Sequence, residues 1–204
     1  MPGFAGHALS FARPCLRPHC GAMMGPKPEP LTEATVTNVL NRLAAADAPA
    51  LLFGGWAEEA LGLSPPRAHG DIDLLLPAES FRRVDAMLAA TGDLQEVAGK
   101  RFRHKRAFLF GETLVEVILV HRDGSGFCTL FWGDRRFRWS APLSQTGLLA
   151  GRPLLCVSAE NLRHFRAAYR SIEPWRWRDP ASLVPTSYSR QDRGREQPPD
   201  DVVC

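Results

Sequence analysis

The sequence predicts an α/β (α+β) fold in which a small mixed β-sheet has helices packed on one face. Apolar side chains recur at helical spacing in residues 32–46, which predicts a helix ahead of the first strand. Two short apolar runs, 51–53 and 74–76, have the composition of buried strands, and the second is opened by Asp71-Ile72-Asp73. Residues 101–110 and 113–120 then have the pattern of a β-hairpin, and the alternation of helices with strands favours a mixed sheet.

Three longer helices are predicted from capping residues and from the spacing of apolar side chains. The first spans residues 32–46 and begins at Thr32, a residue type that caps helix N-termini well. The second spans about 78–90, where apolar residues recur at intervals of three and four. The third spans 159–172 and follows Ser158, another favourable N-cap.

The hairpin after the second helix has a strongly basic first half. Its turn is predicted at Gly111 and Glu112, and residues 100–106 include six basic side chains. A basic strand of this kind is typical of a sheet edge, where charge prevents pairing with other molecules. The alternative is that these side chains form a basic wall beside a triphosphate.

Aromatic and basic residues are interleaved after the hairpin. Residues 127–132 predict a further short strand, and three arginines lie between Trp132 and Trp139. Either tryptophan could stack on a nucleobase or sugar, or both could be ordinary packing residues.

Composition favours a single cytoplasmic domain. The chain has 204 residues, 45% of them apolar, and a net charge of +3 that is too small to indicate nucleic-acid binding by itself. No apolar run is long enough to span a membrane, and five scattered cysteines suggest free thiols in a reducing compartment. We expect a disordered extension at 1–30, one domain at 31–180 and a disordered tail at 181–204.

The residues most suggestive of chemistry lie between the first two strands. Asp71 and Asp73 are two apart on a strand, so their carboxylates point to the same face and repel each other unless a cation lies between them. Carboxylate oxygens suit Mg²⁺, which commonly binds one or two carboxylates together with substrate phosphates. Upstream, Gly54 and Gly55 lack side chains and precede a short helix at about 56–62, an arrangement that allows a phosphate to approach closely.

A third carboxylate lies inside an otherwise apolar strand. Glu116 is flanked by valines in the second strand of the hairpin, and a buried carboxylate is costly without a partner or a metal ion. Glu112 is the alternative candidate, although it lies in the predicted turn.

The segments Gly54-Gly55-Trp56-Ala57 and Arg67-Ala68-His69-Gly70-Asp71-Ile72-Asp73 resemble the nucleotidyltransferase superfamily, which has a DNA polymerase beta-like fold. Within it, they are similar to the aminoglycoside and lincosamide nucleotidyltransferases of antibiotic resistance. The resemblance implies transfer of a nucleoside monophosphate from ATP or another nucleoside triphosphate to a hydroxyl group.

The resemblance also implies roles for particular residues. Asp71 and Asp73 would hold one or two Mg²⁺ ions, and Glu116 would be the third carboxylate, as a metal ligand or a general base. Gly54 and Gly55 would bind the phosphates. For the nucleotide, the remaining candidates are Arg67 and His69, and His69 could instead order its loop.

The acceptor is the part of the reaction that the sequence specifies least. Enzymes that modify cationic drugs line their pockets with acids, and this chain has few acids to spare near the motif. A small-molecule acceptor, aminoglycoside-like or lincosamide-like, is expected. The alternatives are a transferase acting on RNA or protein, for example in a toxin–antitoxin pair, and a catalytically silent homologue that binds a nucleotide or a partner.

Overall fold

The computed structural model describes residues 31–133 and 135–172. The predicted extension at 1–30, the tail at 181–204 and the last residues of the predicted domain lie outside the described residues. Within the described part are four α-helices: α1 (Glu33–Ala45), α2 (Gly54–Ala60), α3 (Arg82–Ala90) and α4 (Ala159–Ile172). No helix there is long and apolar enough to cross a membrane.

The described residues form a mixed sheet of nine strands. The strands are β1 (Leu51–Phe53), β2 (Asp71–Pro77), β3 (Leu94–Glu96), β4 (Lys105–Phe110), β5 (Thr113–Asp123), β6 (Gly126–Phe131), β7 (Arg135–Trp139), β8 (Ser144–Leu149) and β9 (Arg152–Val157). Their order across the sheet is β3-β4-β5-β2-β1-β9-β8, and the β6–β7 hairpin extends from the far end of β5. Strand β2 is parallel to β5 and antiparallel to β1, which confirms the predicted mixed sheet. The predicted combination of such a sheet with helices is confirmed as well.

Three features of the sheet and helices differ from the sequence prediction. Strand β4 is not an edge strand over its whole length, because β5 pairs along one side of it and β3 pairs with Phe108–Phe110 on the other. The short strand β3 was not predicted, since three residues are too few to show a periodic pattern. Helix α3 also begins at Arg82, several residues after the predicted start at 78.

Caps and apolar spacing account for the helices that were predicted well. In α1, the Thr32 hydroxyl accepts a hydrogen bond from the Thr35 backbone N–H at 3.3 Å, as expected of an N-cap. The side chains of Val36, Val39 and Leu43 are buried along one stripe of that helix.

The two faces of the central strands have different neighbours. On the face that carries Ile72 and Leu74, both fully buried, Arg106 of β4 reaches across to Asp85 of α3 at 2.7 Å. At the end of β1, Phe165 of α4 packs against Phe53 with ring centroids 4.9 Å apart. Helix α4 therefore lies beside the point where the chain leaves β1 for α2.

The aromatic residues of the β6–β7 region are mainly packing residues. Trp139 is buried, stacks on Phe165 with centroids 5.7 Å apart and donates a hydrogen bond to the Thr129 hydroxyl. Trp132 is partly buried against His104 and Phe102. For both tryptophans the structure supports the packing interpretation over base stacking.

Candidate active site

The predicted carboxylates meet where β2 lies beside β5. Asp71 and Asp73 are two apart on β2, and Asp73 is in register with Glu116 on the parallel neighbour. Adjacent strands are about 4.8 Å apart, so these side chains share one face at close range. The structure thus brings the three sequence-predicted carboxylates together, whereas Glu112 lies in the exposed β4–β5 turn.

Crowding of the carboxylates perturbs the titration of both aspartates. Burial, together with the charges of Asp71 and Glu116, raises the pKa of Asp73 to about 7. Burial and the charge of Glu116 also raise the pKa of Asp71. The site therefore concentrates negative charge that a cation would relieve.

Glu116 forms salt bridges with two lysines, and no sequence motif indicates these contacts. Lys100 Nζ lies 2.5 Å and Lys105 Nζ 2.8 Å from the two carboxylate oxygens of Glu116. Burial raises the pKa of Glu116, but the charges of Lys105 and Lys100 outweigh that effect and lower it. Glu116 therefore stays ionised at neutral pH beside two aspartates that are harder to ionise.

The glycine pair lies directly against the site. Gly54 has a φ of +62°, and a Cβ atom there would lie 2.3 Å from Asp73 Oδ2. A Cβ atom on Gly55 would lie 2.7 Å from His69 Nδ1. Glycine is thus required at both positions because a side chain would collide with Asp73 or His69. This is a reason in addition to access for a phosphate.

The loop between α2 and β2 is fastened to α2. His69 Nε2 lies 3.0 Å from Glu59 Oε2, and the imidazole packs on the indole of Trp56 with centroids 4.1 Å apart. The Trp56 indole N–H in turn donates to the Asp71 carbonyl at 3.2 Å. Among the two alternatives for His69, this geometry favours ordering of the loop that leads into Asp71.

Arg67 occupies a more open position on the same loop. Its backbone N–H donates to Glu59 Oε2 at 3.3 Å, and its guanidinium lies 3.4 Å from Glu58 Oε2. About half of the Arg67 side chain is exposed, so its remaining donors can reach an anion in solution.

A cavity of about 280 Å³ opens beside Asp73, between the β1–α2 junction and α4. Its walls include Phe53, Phe165 and Tyr169, and its polar rim includes the ion pair between Glu58 and Arg166. None of the α4 residues was identified from the sequence, because their proximity to the motif depends on tertiary packing over a hundred residues of chain.

Two of the three carboxylates suit a divalent metal ion. Asp71 and Asp73 offer oxygen ligands on one face, and burial together with the neighbouring carboxylates raises the pKa of both in spite of the charges of Lys100 and Lys105. Over residues 31–133 and 135–172, no group of three His, Cys, Asp or Glu side chains is placed to hold a metal ion together. The donor set therefore fits Mg²⁺ bound by two aspartates with substrate phosphates completing its coordination.

Comparisons with known proteins agree with this arrangement. The model of the aminoglycoside-2''-adenylyltransferase family matches residues 35–177. A 2''-aminoglycoside nucleotidyltransferase from Klebsiella pneumoniae is 30% identical over 134 residues, which cover 61% of this chain and 68% of the relative. A protein of the same name from Escherichia coli is 29% identical over the same shares of both chains.

Two solved structures have a similar fold. The lincosamide antibiotic adenylyltransferase LnuA, determined with lincomycin bound, has a TM-score of 0.58 and 17% identity, covering 82% of this chain and 97% of LnuA. The solution structure of the antibiotic-resistance factor ANT(2'')-Ia has a TM-score of 0.51 and 20% identity, covering 81% of this chain and 84% of the other.

Proposed function

Because the chain belongs to the aminoglycoside-2''-adenylyltransferase family, we propose that it transfers a nucleoside monophosphate from ATP to a hydroxyl group of an aminoglycoside- or lincosamide-like antibiotic, with Mg²⁺ as cofactor. That the chain is a nucleotidyltransferase follows from its family and relatives. The observation that carries the finer proposal is the pair Asp71 and Asp73, which share one face beside Glu116 and Gly54.

In this proposal Asp71 and Asp73 hold the metal ion. When bound, Mg²⁺ would neutralise phosphate charge and stabilise the oxygens that attack and leave in an in-line displacement. Asp73 is positioned by contact with Gly54, and Asp71 by its backbone carbonyl, which accepts from Trp56. The two carboxylates are therefore fixed by the backbone of β2 and by α2 rather than by flexible loops.

Glu116 would accept the proton of the attacking hydroxyl, and its alternative role as a metal ligand has less support because no three acidic or histidine side chains of the described residues are placed to hold a metal ion together. Lys100 and Lys105 keep its carboxylate ionised and able to accept a proton, while the lowered pKa reduces its strength as a base. The hydroxyl oxygen would then attack the α-phosphorus, a new O–P bond would form, and pyrophosphate would leave with the electron pair of the broken bond.

The remaining predicted residues would bind the triphosphate. The backbone N–H groups at Gly54 and Gly55, where α2 begins, would face the phosphates. The half-exposed Arg67 would pair with phosphate oxygens, and His69 would hold the loop that carries it.

The first test is binding of the nucleotide and the metal. Purified protein is titrated with ATP and Mg²⁺, separately and together, and the melting temperature is followed for the wild type and for Asp71→Asn/Asp73→Asn. A ligand that binds only the folded state raises apparent stability by mass action. We expect stabilisation by Mg-ATP in the wild type only, and the same result in both proteins would refute the proposed metal–nucleotide site.

The second test is label transfer from α-labelled ATP to candidate acceptors. Incorporation of label into an antibiotic supports the proposal, and incorporation into RNA or into a protein would favour the alternative acceptor class. Binding to RNA should also weaken steeply with salt because phosphate contacts release counterions.

The comparisons do not favour an RNA or protein acceptor or a silent homologue. Location in the cytoplasm remains a prediction.

A further inference from the structure

One edge of the sheet lacks the features that keep an exposed strand from pairing with another strand. Strand β8 (Ser144–Leu149) is hydrogen-bonded to β9 on one side, and no other strand of the described residues pairs with its outer edge. Its six residues include no charged side chain and no proline. By contrast, the edge strand β3 has only three residues and β7 carries three arginines, which are usual protections of a sheet edge. Strand β8 is therefore the edge best suited to pairing with a further strand.

Exposed apolar side chains adjoin this edge. Leu148 of β8 and Leu155 of β9 are 62% and 56% exposed, more than any other large apolar side chain in the described part of the chain. The register pairs Leu155 with Thr146, two residues before Leu148, so the two leucines lie on the same face of the hairpin. The opposite face is closed, because a Cβ atom on Gly147 would lie 2.9 Å from a backbone oxygen of α2. The unpaired edge and the apolar surface are thus parts of one patch.

The charges at the two ends of β8 are opposite in sign. At its C-terminal end, Arg152 is in register with Leu149. At its N-terminal end, the Gln145 side chain accepts a hydrogen bond at 3.1 Å from the backbone N–H of Ala159, the residue before Glu160. Arg152 and Glu160 are both exposed, and neither forms a salt bridge over residues 31–133 and 135–172. Two such strands bring unlike charges together when they run antiparallel and like charges together when they run parallel.

We propose that the outer edge of β8 is the interface of a homodimer, in which β8 of a second copy pairs antiparallel with it. Identical antiparallel strands are related by a two-fold axis, so each contact occurs twice. Pairing centred on Gly147 places Leu148 opposite Thr146 of the second copy and buries part of its exposed surface. Arg152 then lies two strand spacings, about 10 Å, from the strand end beside Glu160 of the second copy. The long arginine side chain can reach across that distance.

Two features favour a second copy over another occupant. An uncharged edge with a cation at one end and an anion at the other is complementary to itself, and not to a strand of uniform charge. The end of α4 also lies away from this edge. The helix begins beside Gln145 and ends where Arg135 of β7 donates to the Ser171 carbonyl, and its 14 residues span about 20 Å.

The dimer is tested by sedimentation velocity of the full chain between about 1 μM and about 1 mM. An interface built on one strand pair is small, so we expect a reversible equilibrium between monomer and dimer. Leu148→Lys should raise the dimer dissociation constant by more than about tenfold, because a charge replaces an apolar side chain at the paired edge. Tyr169→Lys is the matched control, since Tyr169 is 49% exposed near the other end of α4. Thermal melting confirms that each variant is folded.

Charge reversals test the antiparallel arrangement. Arg152→Glu and Glu160→Arg should each raise the dissociation constant by about fivefold, because like charges then meet at both ends of the strand pair. The double variant Arg152→Glu/Glu160→Arg restores unlike charges and should return the dissociation constant to within about twofold of the wild type. Arg170→Glu, which reverses an exposed charge in the last turn of α4, should leave it unchanged. A double variant that is no better than the single variants would overturn the proposed pairing.

Amide hydrogen exchange identifies what covers the edge. We expect the outward-facing amides of residues 144–149 to gain protection as the protein concentration rises through the dissociation constant. Full protection of these amides in the monomer would show that another segment of the same chain covers β8 and would overturn the proposal. A protein that stays monomeric up to about 1 mM would overturn it too, as would a dimer that Leu148→Lys leaves intact.

Discussion

Replacement of Gly54 by alanine should separate the effect of backbone strain from the effect of moving a catalytic carboxylate. The backbone at Gly54 has a φ of +62°, a conformation that residues with a side chain rarely adopt. The added Cβ would lie 2.3 Å from Asp73 Oδ2, whereas ordinary contact begins at 3.4 Å. The carboxylate must therefore move by about 1 Å, or the start of α2 must move by a similar distance.

The two effects differ in size. Adoption of the left-handed conformation by alanine costs about 1 kcal/mol of stability. A displacement of about 1 Å at a metal-binding carboxylate lowers the rate far more, by about a hundredfold in kcat/KM, because the reacting groups lose their alignment. Gly54→Ala should consequently be a folded protein with most of its activity lost.

Gly62 provides a control for the strain alone. It has a φ of +66°, close to that of Gly54, and a Cβ atom there would meet nothing within 4 Å. Gly62→Ala should lose about the same 1 kcal/mol in urea denaturation and keep its activity. Label transfer with Mg-ATP and circular dichroism are measured for both variants in parallel.

The activities of Gly54→Ala and Gly62→Ala together can refute this reasoning. If Gly54→Ala keeps kcat/KM within about threefold of the Gly62→Ala value, the contact between Gly54 and Asp73 does not position the carboxylate. If both variants lose activity equally, backbone strain at Gly54 and Gly62, and not displacement of Asp73, is responsible.

Three further predictions concern charges at and near the site. Since the pKa of Asp73 is raised from 3.8 to about 7, its ionisation opposes folding increasingly between about pH 4 and pH 7 and fully above pH 7. Asp73→Asn in metal-free buffer at pH 8 should therefore increase the free energy of unfolding by up to about 4 kcal/mol, and a decrease measured by urea denaturation would contradict this. Lys105→Met should raise the pKa of Glu116 and move the acidic limb of the kcat/KM profile to higher pH. Arg101→Met changes a residue that pairs with Glu96 and Asp85 instead, and should leave the profile in place. Burial holds the pKa of His104 well below 6.5, so below pH 6.5 the unfolded chain takes up a proton that the folded chain does not, and the free energy of unfolding should fall by up to about 1.4 kcal/mol per pH unit. The free energy of unfolding should therefore differ less between pH 5.5 and pH 7.5 in His104→Asn than in the wild type. The same difference in both proteins would rule this out.

The features that the sequence predicted correctly depend on local rules. The Thr32 cap, the apolar stripe of α1 and the bounds of α4 involve residues within one or two helical turns of each other. The shared face of Asp71 and Asp73 follows from the two-residue period of a strand, and β2 begins at Asp71 as predicted. The roles assigned to these residues in catalysis stay predictions.

The features that were missed depend on which strands become neighbours. The basic surroundings of Lys105 predict an edge strand, but Lys105 pairs with Ile118 of β5 and an isolated bridge joins it to Phe102. The register places Ala107 opposite Glu116 and Lys105 opposite Ile118, two residues further along β5 on the same face. A contact between Lys105 and Glu116 therefore depends on a pairing that no local pattern specifies.

The register between β1 and β2 explains why the glycine pair and the two aspartates occur together in the sequence. Phe53, the residue before Gly54, pairs with Asp73 across β1 and β2, so the chain turns into α2 directly beside that carboxylate. A slip of one residue would bring Ile72 to this position and turn both aspartates into the apolar core. Burial of two carboxylates there would cost far more than any gain from pairing. The strand register that places Asp73 beside Gly54 is therefore required by the fold and by the proposed chemistry at the same time.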